Sequence, residues 1–283
     1  MVEQQNEWSY EIKARSSVLD LGLKEVWRYR DLLMMFVKRD FITFYKQTIL
    51  GPIWFFLQPI LTSLIYLVIF GRIANISTDG MPQFAFYLCG ITVWNYFSEA
   101  LTKTSTVFKD NASVFGKVYF PRLIMPLSIV VSALIKFAIQ FGFFIAVVAY
   151  YYFTEGIISP NWWILATPYL LLLMLLFALG LGMIFSSMTV KYKDLVFLLA
   201  FGIQLAMYAS PVIYPMSVVP EKYKWILGLN PLSAIFECFR HGFLGSGNFH
   251  AFDLFYSTFS ILLILALGTI VFNKVEKSFM DSI

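Results

Sequence analysis

Three pairs of aromatic and amide side chains stand in otherwise apolar stretches of this sequence: Trp54 with Gln58, Trp94 with Asn95, and Gln204 with Tyr208. Sugar rings present C–H faces that stack on aromatic rings, and their hydroxyls bond to amides. Such a mixture suits a surface along which carbohydrate slides without being gripped at one point. Ordinary interhelical packing with hydrogen-bonded amides would use the same residues, and the sequence leaves both readings open. Other chemistry is thinly supplied. The Asp and Glu residues are scattered, and neither His241 nor His250 is expected to have a carboxylate partner, so a clustered acid, base or nucleophile is not in view. Cys89 lies in an apolar run and Cys238 in a stretch that reads as loop, which argues against a disulfide framework, and two Cys and two His do not readily supply a zinc site. No G-x-x-x-x-G-K-[ST] run is present to cradle a nucleotide. No catalytic residue, metal or cofactor is therefore assigned to this chain.

The elements that must carry these residues follow from composition. Of 283 residues, 59% are hydrophobic and 13% charged, against roughly half and a quarter in soluble domains. The mean hydropathy is +0.72. A soluble protein of this size could not hide so much apolar surface. The fold class expected is an all-α polytopic membrane protein. Crossing about 30 Å of hydrocarbon takes about 20 apolar residues. Six stretches qualify as transmembrane helices: Ile49 to Phe70, Phe84 to Ser98 with flanking residues, Leu123 to Tyr150, Trp162 to Met188, Leu195 to Tyr214, and Leu254 to Phe272. With the N-terminus in the cytoplasm, sixteen of the 21 Lys and Arg fall on inner segments and four on outer ones. The inward bias of basic residues thus places both termini in the cytoplasm.

Charge inside the spans is sparse. Lys136 is the one charge well within a span, where it can snorkel along its stem, and Glu99 marks an inner boundary. Ion-coupled transporters usually carry intramembrane carboxylates. Their scarcity implies that energy comes from elsewhere. Small residues at helical spacing, Ala178, Gly182 and Ser186 in the fourth span and Gly202, Ala206 and Ser210 in the fifth, predict close helix packing.

The flanking segments divide the chain into a polar N-terminal extension over 1–23, an amphipathic interface helix over 24–48, and a membrane domain over 49–283. In the helix, Lys24, Arg28, Asp31, Lys38, Arg39 and Lys46 share one arc, with Val26, Tyr29, Leu33, Val37 and Phe44 opposite. Such a helix lies in the membrane interface, apolar face in lipid, and offers a docking surface for a cytoplasmic partner. The loop after the second span mixes Phe108, Val114 and Phe115 with Lys109, Asp110, Asn111 and Lys117, as a short helix pressed into a partner's groove would. The turn Lys191, Tyr192, Lys193, Asp194 is too short to be more than a contact point. Between spans five and six, Pro215, Pro220 and Asn230-Pro231 break the chain into short apolar pieces, which read as extracytoplasmic re-entrant or interfacial helices.

Taken in order, KQTILGPIWFFLQPILTSLIYLVIF, FKDNASVFGKVYFPRLIMP, VKYKDL, SPVIYP, LNPLSAIFECFR and VFNKVEKSFMDSI resemble the transmembrane permease subunit of an ABC-type-2 polysaccharide exporter, of the O-antigen, capsule and teichoic acid export group. The resemblance covers nearly the whole chain. It implies a homodimer with two copies of a separate ATPase subunit, which would hold the ATP and Mg. It implies an undecaprenyl-linked glycan as substrate, membrane lipid as surroundings, no nucleic acid, and a bacterial inner (cytoplasmic) membrane. By similarity, Phe108 to Lys117 would form a first coupling helix and Lys191 to Asp194 a second ATPase contact. The basic helix, with Arg28, Arg30, Lys38 and Arg39, would border the access route of the lipid-linked substrate, and the outer helices would close the gate. An ABC-type-2 permease for a small molecule or lipid is the alternative. A membrane-embedded transferase lacks the clustered groups it needs, and a secondary transporter lacks internal charges and an inverted repeat.

Overall fold

A computed structural model of the chain describes residues 23–46, 49–115, 120–247 and 249–279. The extension expected over 1–23 lies outside the described residues except for Leu23, and so does Lys117. Among the described residues all regular structure is helical. The described helices α1 (Leu23–Arg28) and α2 (Arg30–Lys46) precede the first span. Then come α3 (Trp54–Tyr66), α4 (Gln83–Ser105), the short α5 (Val107–Asp110) and α6 (Ala112–Phe115), and α7 (Ile124–Thr154). The series ends with α8 (Thr167–Thr189), α9 (Leu195–Tyr208), α10 (Glu221–Gly228), α11 (Pro231–Leu244) and α12 (Ala251–Phe279). A 3-10 turn leads into α3 and another into α8, while π-helical turns over Leu67–Ile73 prolong α3.

Among the described residues, four helical stretches are long and apolar enough to cross a membrane: Gly51–Ile73, Ile124–Thr154, Trp162–Thr189 and Ala251–Val275. They match the first, third, fourth and sixth expected spans within a few residues. α4 begins where the second span was expected and runs on to Ser105. Its 23 residues reach about 35 Å at 1.5 Å each. Its polar residues are accommodated because other helices enclose it: Thr92, Thr104 and Ser105 are buried, as are Phe86 and Tyr87. The expected fifth span is shortened. α9 ends at Tyr208 after 14 residues, about 21 Å, and the chain turns through Ala209–Tyr214 instead. Pro211 and Pro215 cannot supply the N–H groups that a continuing helix needs.

The core is a layer of α4, α7 and α8, with α12 along the far side of α8. α8 reaches both neighbours through glycines. A Cβ on Gly268 of α12 would stand 2.3 Å from the Gly180 carbonyl oxygen, and one on Gly182 would stand 2.5 Å from the Thr104 side chain. Backbones approach this closely only where side chains are absent. The expected small face of α8 is thus in use, with Ala178 and Ser186 fully buried. That of α9 is split: Ser210 is buried, whereas Gly202 faces open space.

The amphipathic helix departs from expectation in two ways. It breaks at Tyr29, which separates α1 from α2. Its charged arc is exposed as the periodicity predicts, but the opposite face does not point to lipid. Val37 is buried, Val26, Tyr29 and Leu33 are half-buried, and α2 packs on α7. Apolar exposure falls instead on Trp27, Met34 and Met35. The Phe44 side chain lies outside the described residues.

Candidate functional site

The two segments expected to meet a partner lie at the same end of the bundle. The Thr189 hydroxyl, at the end of α8, donates to the Ser105 carbonyl, at the end of α4, over 2.9 Å. This bond ties the turn Lys191–Asp194 to the start of α5. All four residues of that turn are exposed. In α5 and α6 the structure divides the expected set. Lys109 and Asp110 are exposed, and Asn111 and Val114 half-exposed. Phe108 and Phe115 are not available to a partner's groove, which corrects the expectation drawn from their apolarity. Phe108 stacks on Phe272 of α12 with ring centroids 4.7 Å apart, and Phe115 stacks on Phe120 at 5.7 Å. Phe120 in turn meets Phe36 of α2. These rings staple the connection to α2 and α12, so the polar residues beside them hold fixed positions. Thr106 donates to the Asp110 carboxylate over 2.6 Å, and the Asn111 amide to the Val107 carbonyl over 3.1 Å.

The aromatic and amide residues also separate into two groups. Trp94 is buried in the core, with its ring stacked on Phe236 of α11 at 6.5 Å and tilted against Phe97 at 5.7 Å. Asn95 donates to the Gln140 amide oxygen of α7 over 3.4 Å. For these two the packing reading holds within the chain. Trp54 and Gln58 on α3, and Gln204 and Tyr208 on α9, are exposed. α3 and α9 approach each other at the far end of α3, where the Tyr66 hydroxyl donates to the Met207 sulfur over 3.5 Å. Two neighbouring helices thus present uncovered aromatic and amide groups.

The sequence alone sets Glu99 at an inner boundary and Lys136 as a snorkelling lysine, with nothing to join them. The structure joins them in an ion pair between α4 and α7, with Lys103 on the same carboxylate oxygen at 2.7 Å. The Lys136 ammonium lies 5.7 Å from the Phe55 ring centre. Pairing neutralises charge that hydrocarbon would otherwise exclude.

A second pair stands at the opposite end of the bundle. Arg240 and Glu237, one turn apart on α11, are buried to 1% and 4% exposure and joined over 2.9 Å. Arg240 also donates to the Pro211 carbonyl over 2.7 Å and lies 4.0 Å from the Phe86 ring centre. The same Glu237 oxygen accepts from the Met216 amide. Asn230 caps α11 by accepting from the Leu232 amide, and its own amide reaches the Ala209 carbonyl. α11 is therefore clamped onto the broken segment that follows α9. Cys238 lies in this helix and not in a loop; both cysteines are buried and free.

The profile of the ABC-2 type transporter family matches residues 31–244, from α2 through the end of α11. The chain belongs to that family. Its curated relatives include the O-antigen export system permease protein RfbA of Klebsiella pneumoniae, 29% identical over 89% of this chain and 94% of the relative. RfbA of Myxococcus xanthus is 26% identical over 92% and 98%. The polysialic acid transport protein KpsM of Escherichia coli is 23% identical over 86% and 93%.

The matched stretch of this ABC-2 chain contains both exposed turns, the α3 and α9 faces, the half-buried Glu99–Lys136 pair and the buried Glu237–Arg240 pair. Sequence reasoning missed the ion pairs. Glu99 and Lys136 are 37 positions apart, so no local spacing joins them. Glu237 and Arg240 do stand at helical spacing, a signal that was legible once Pro231 to Leu244 is taken as one helix.

Proposed function

We propose that this chain is the permease subunit of an ATP-driven exporter that carries a lipid-linked polysaccharide across a bacterial inner membrane, outward from the cytoplasm. The observation that carries this reading is the uncovered aromatic and amide face of α3 and α9, in a chain whose relatives are named for polysaccharide export. A glycan conduit needs weak, repeated contacts, which stacking and amide bonds supply without a deep trap. A pocket for a drug-sized molecule would instead be closed and largely apolar.

In this reading two copies pair across the α3 and α9 faces, and two copies of a separate ATPase bind the end that carries Lys109, Asp110, Asn111, Val114 and Lys191–Asp194. Lys117, outside the described residues, is assigned to the same contact from the sequence alone. The ATPase holds ATP and Mg2+, and both termini of the permease are cytoplasmic. α4 and α9 complete six spans, α9 with the help of the irregular segment that follows it. The exposed Arg28, Arg30, Lys38 and Arg39 of α1 and α2 attract the phosphates of an undecaprenyl-linked glycan at the cytoplasmic leaflet. α10 and α11 form the extracytoplasmic gate as re-entrant helices.

The test is co-expression with the ATPase and measurement of surface glycan. Reversing the charges of Lys191, Lys193 and Asp194 together is expected to abolish co-purification and export while the permease still accumulates. Undiminished co-purification and export in that variant would contradict the assignment of the docking end.

A further inference from the structure

A cavity of about 480 Å³ lies between α10, α11 and the first turn of α12, and its walls include Glu221, Lys224, Trp225, Glu237, His250 and Asp253. That volume falls within the range of small-ligand sites. Glu237 anchors its inner wall. One carboxylate oxygen is committed to Arg240 and the Met216 amide. The other, Oε2, is enclosed and has no hydrogen-bond partner among the described residues. A buried carboxylate oxygen without a donor is costly, so it marks a place where a donor is missing. The Gly247 backbone, at φ +112°, packs close beside it: a Cβ there would stand 2.8 Å from Oε2, so the position admits no side chain. Trp225, 66% exposed, offers an open ring at the rim. The wall charges favour a donor-rich ligand over an anion. Lys224 is already paired with Glu221 and Glu237 with Arg240, which leaves the Asp253 carboxylate to repel negative charge.

We infer that this cavity binds a neutral sugar unit, with Trp225 stacked on the ring and Glu237 Oε2 and Asp253 accepting from its hydroxyls. The inference rests on the polysaccharide-permease reading and adds a site at the gate. There the emerging chain is held by its last exposed units, which opposes backsliding between transport strokes.

The experiment is titration calorimetry of the full chain in lipid nanodiscs. Dextran, yeast mannan and a galactan serve as neutral probes, and polysialic acid as an acidic one. At least one neutral glycan is expected to bind saturably, with polysialic acid at least tenfold weaker. Trp225→Ala, an exposed position whose loss leaves the core intact, is expected to weaken the neutral glycan at least tenfold, and Glu237→Gln to do the same. Trp225→Phe should retain binding. Absence of binding by every neutral probe, stronger binding of polysialic acid, or unchanged affinity in Trp225→Ala would overturn the site. Those results would leave the permease reading standing, since ATPase co-purification and surface glycan test it separately.

Discussion

α4 and α9 lie beside each other, and their surfaces are arranged in opposite ways. α4 carries Thr92, Asn95, Glu99 and Thr104 yet is enclosed almost throughout. α9 is nearly all apolar and yet exposes Phe197, Leu198, Phe201 and Leu205. In water the reverse would hold. In hydrocarbon, polar groups must find partners inside the protein, and apolar side chains need none. α4 finds partners for Asn95 and Glu99 on α7, in Gln140 and Lys136. α9 leaves its surface open, and the amide Gln204 stands out on it.

Substitutions can break or sharpen that contrast. The largest effect is expected where the enclosed side meets the docking end. Phe108→Asp puts a charge between Phe115 and Phe272, and truncating a buried Phe alone costs about 3–5 kcal/mol. The protein should fail to accumulate in the membrane, as read by immunoblot, in contrast to the charge-reversed 191–194 turn. Next comes Lys136→Met, which leaves Glu99 with Lys103 alone. A loss of about 1–3 kcal/mol is expected for an under-paired charge in a largely buried setting, visible as a lower melting temperature in detergent. The double variant Lys136→Met, Glu99→Gln should recover most of it.

A matched pair of glycine substitutions compares the two helices directly. Gly182→Val drives a side chain into Thr104 of α4 and should cost about 1–3 kcal/mol by overpacking. Gly202→Val on α9 meets nothing within 4 Å, so monomer stability should hold. If α9 lies between copies, cross-linking of the dimer should fall. Smallest in stability is Tyr208→Ala, expected to leave abundance unchanged while glycan export slows several-fold in a pulse-chase assay. A drop in abundance alone would make Tyr208 a packing residue.

Much of this was legible in the sequence because hydrocarbon leaves few alternatives for a 20-residue apolar run. The four helices that are both long and apolar enough to span were placed within a few residues on that ground. The charged arc of α2 was readable from its period, since exposed charges need no partner to be recognised. What escaped was decided by neighbours far along the chain. Phe108 and Phe115 look the same whether they face a partner's groove or Phe272 and Phe120. Trp94 and Trp54 share a composition but not a fate, because α11 covers one and leaves the other open. α9 ended early because Pro211 and Pro215 lie just beyond it, and those prolines were in view. The ordering of family-like segments carried what single motifs could not.

The central claim is that this chain is a conduit driven by an ATPase on another polypeptide. The most direct measurement is glycan transport into proteoliposomes that contain the purified chain, with and without its ATPase subunit, in the presence of ATP and Mg2+. Transport is predicted with both proteins and at background level with the permease alone. Nucleotide-driven transport by the permease alone would contradict the account.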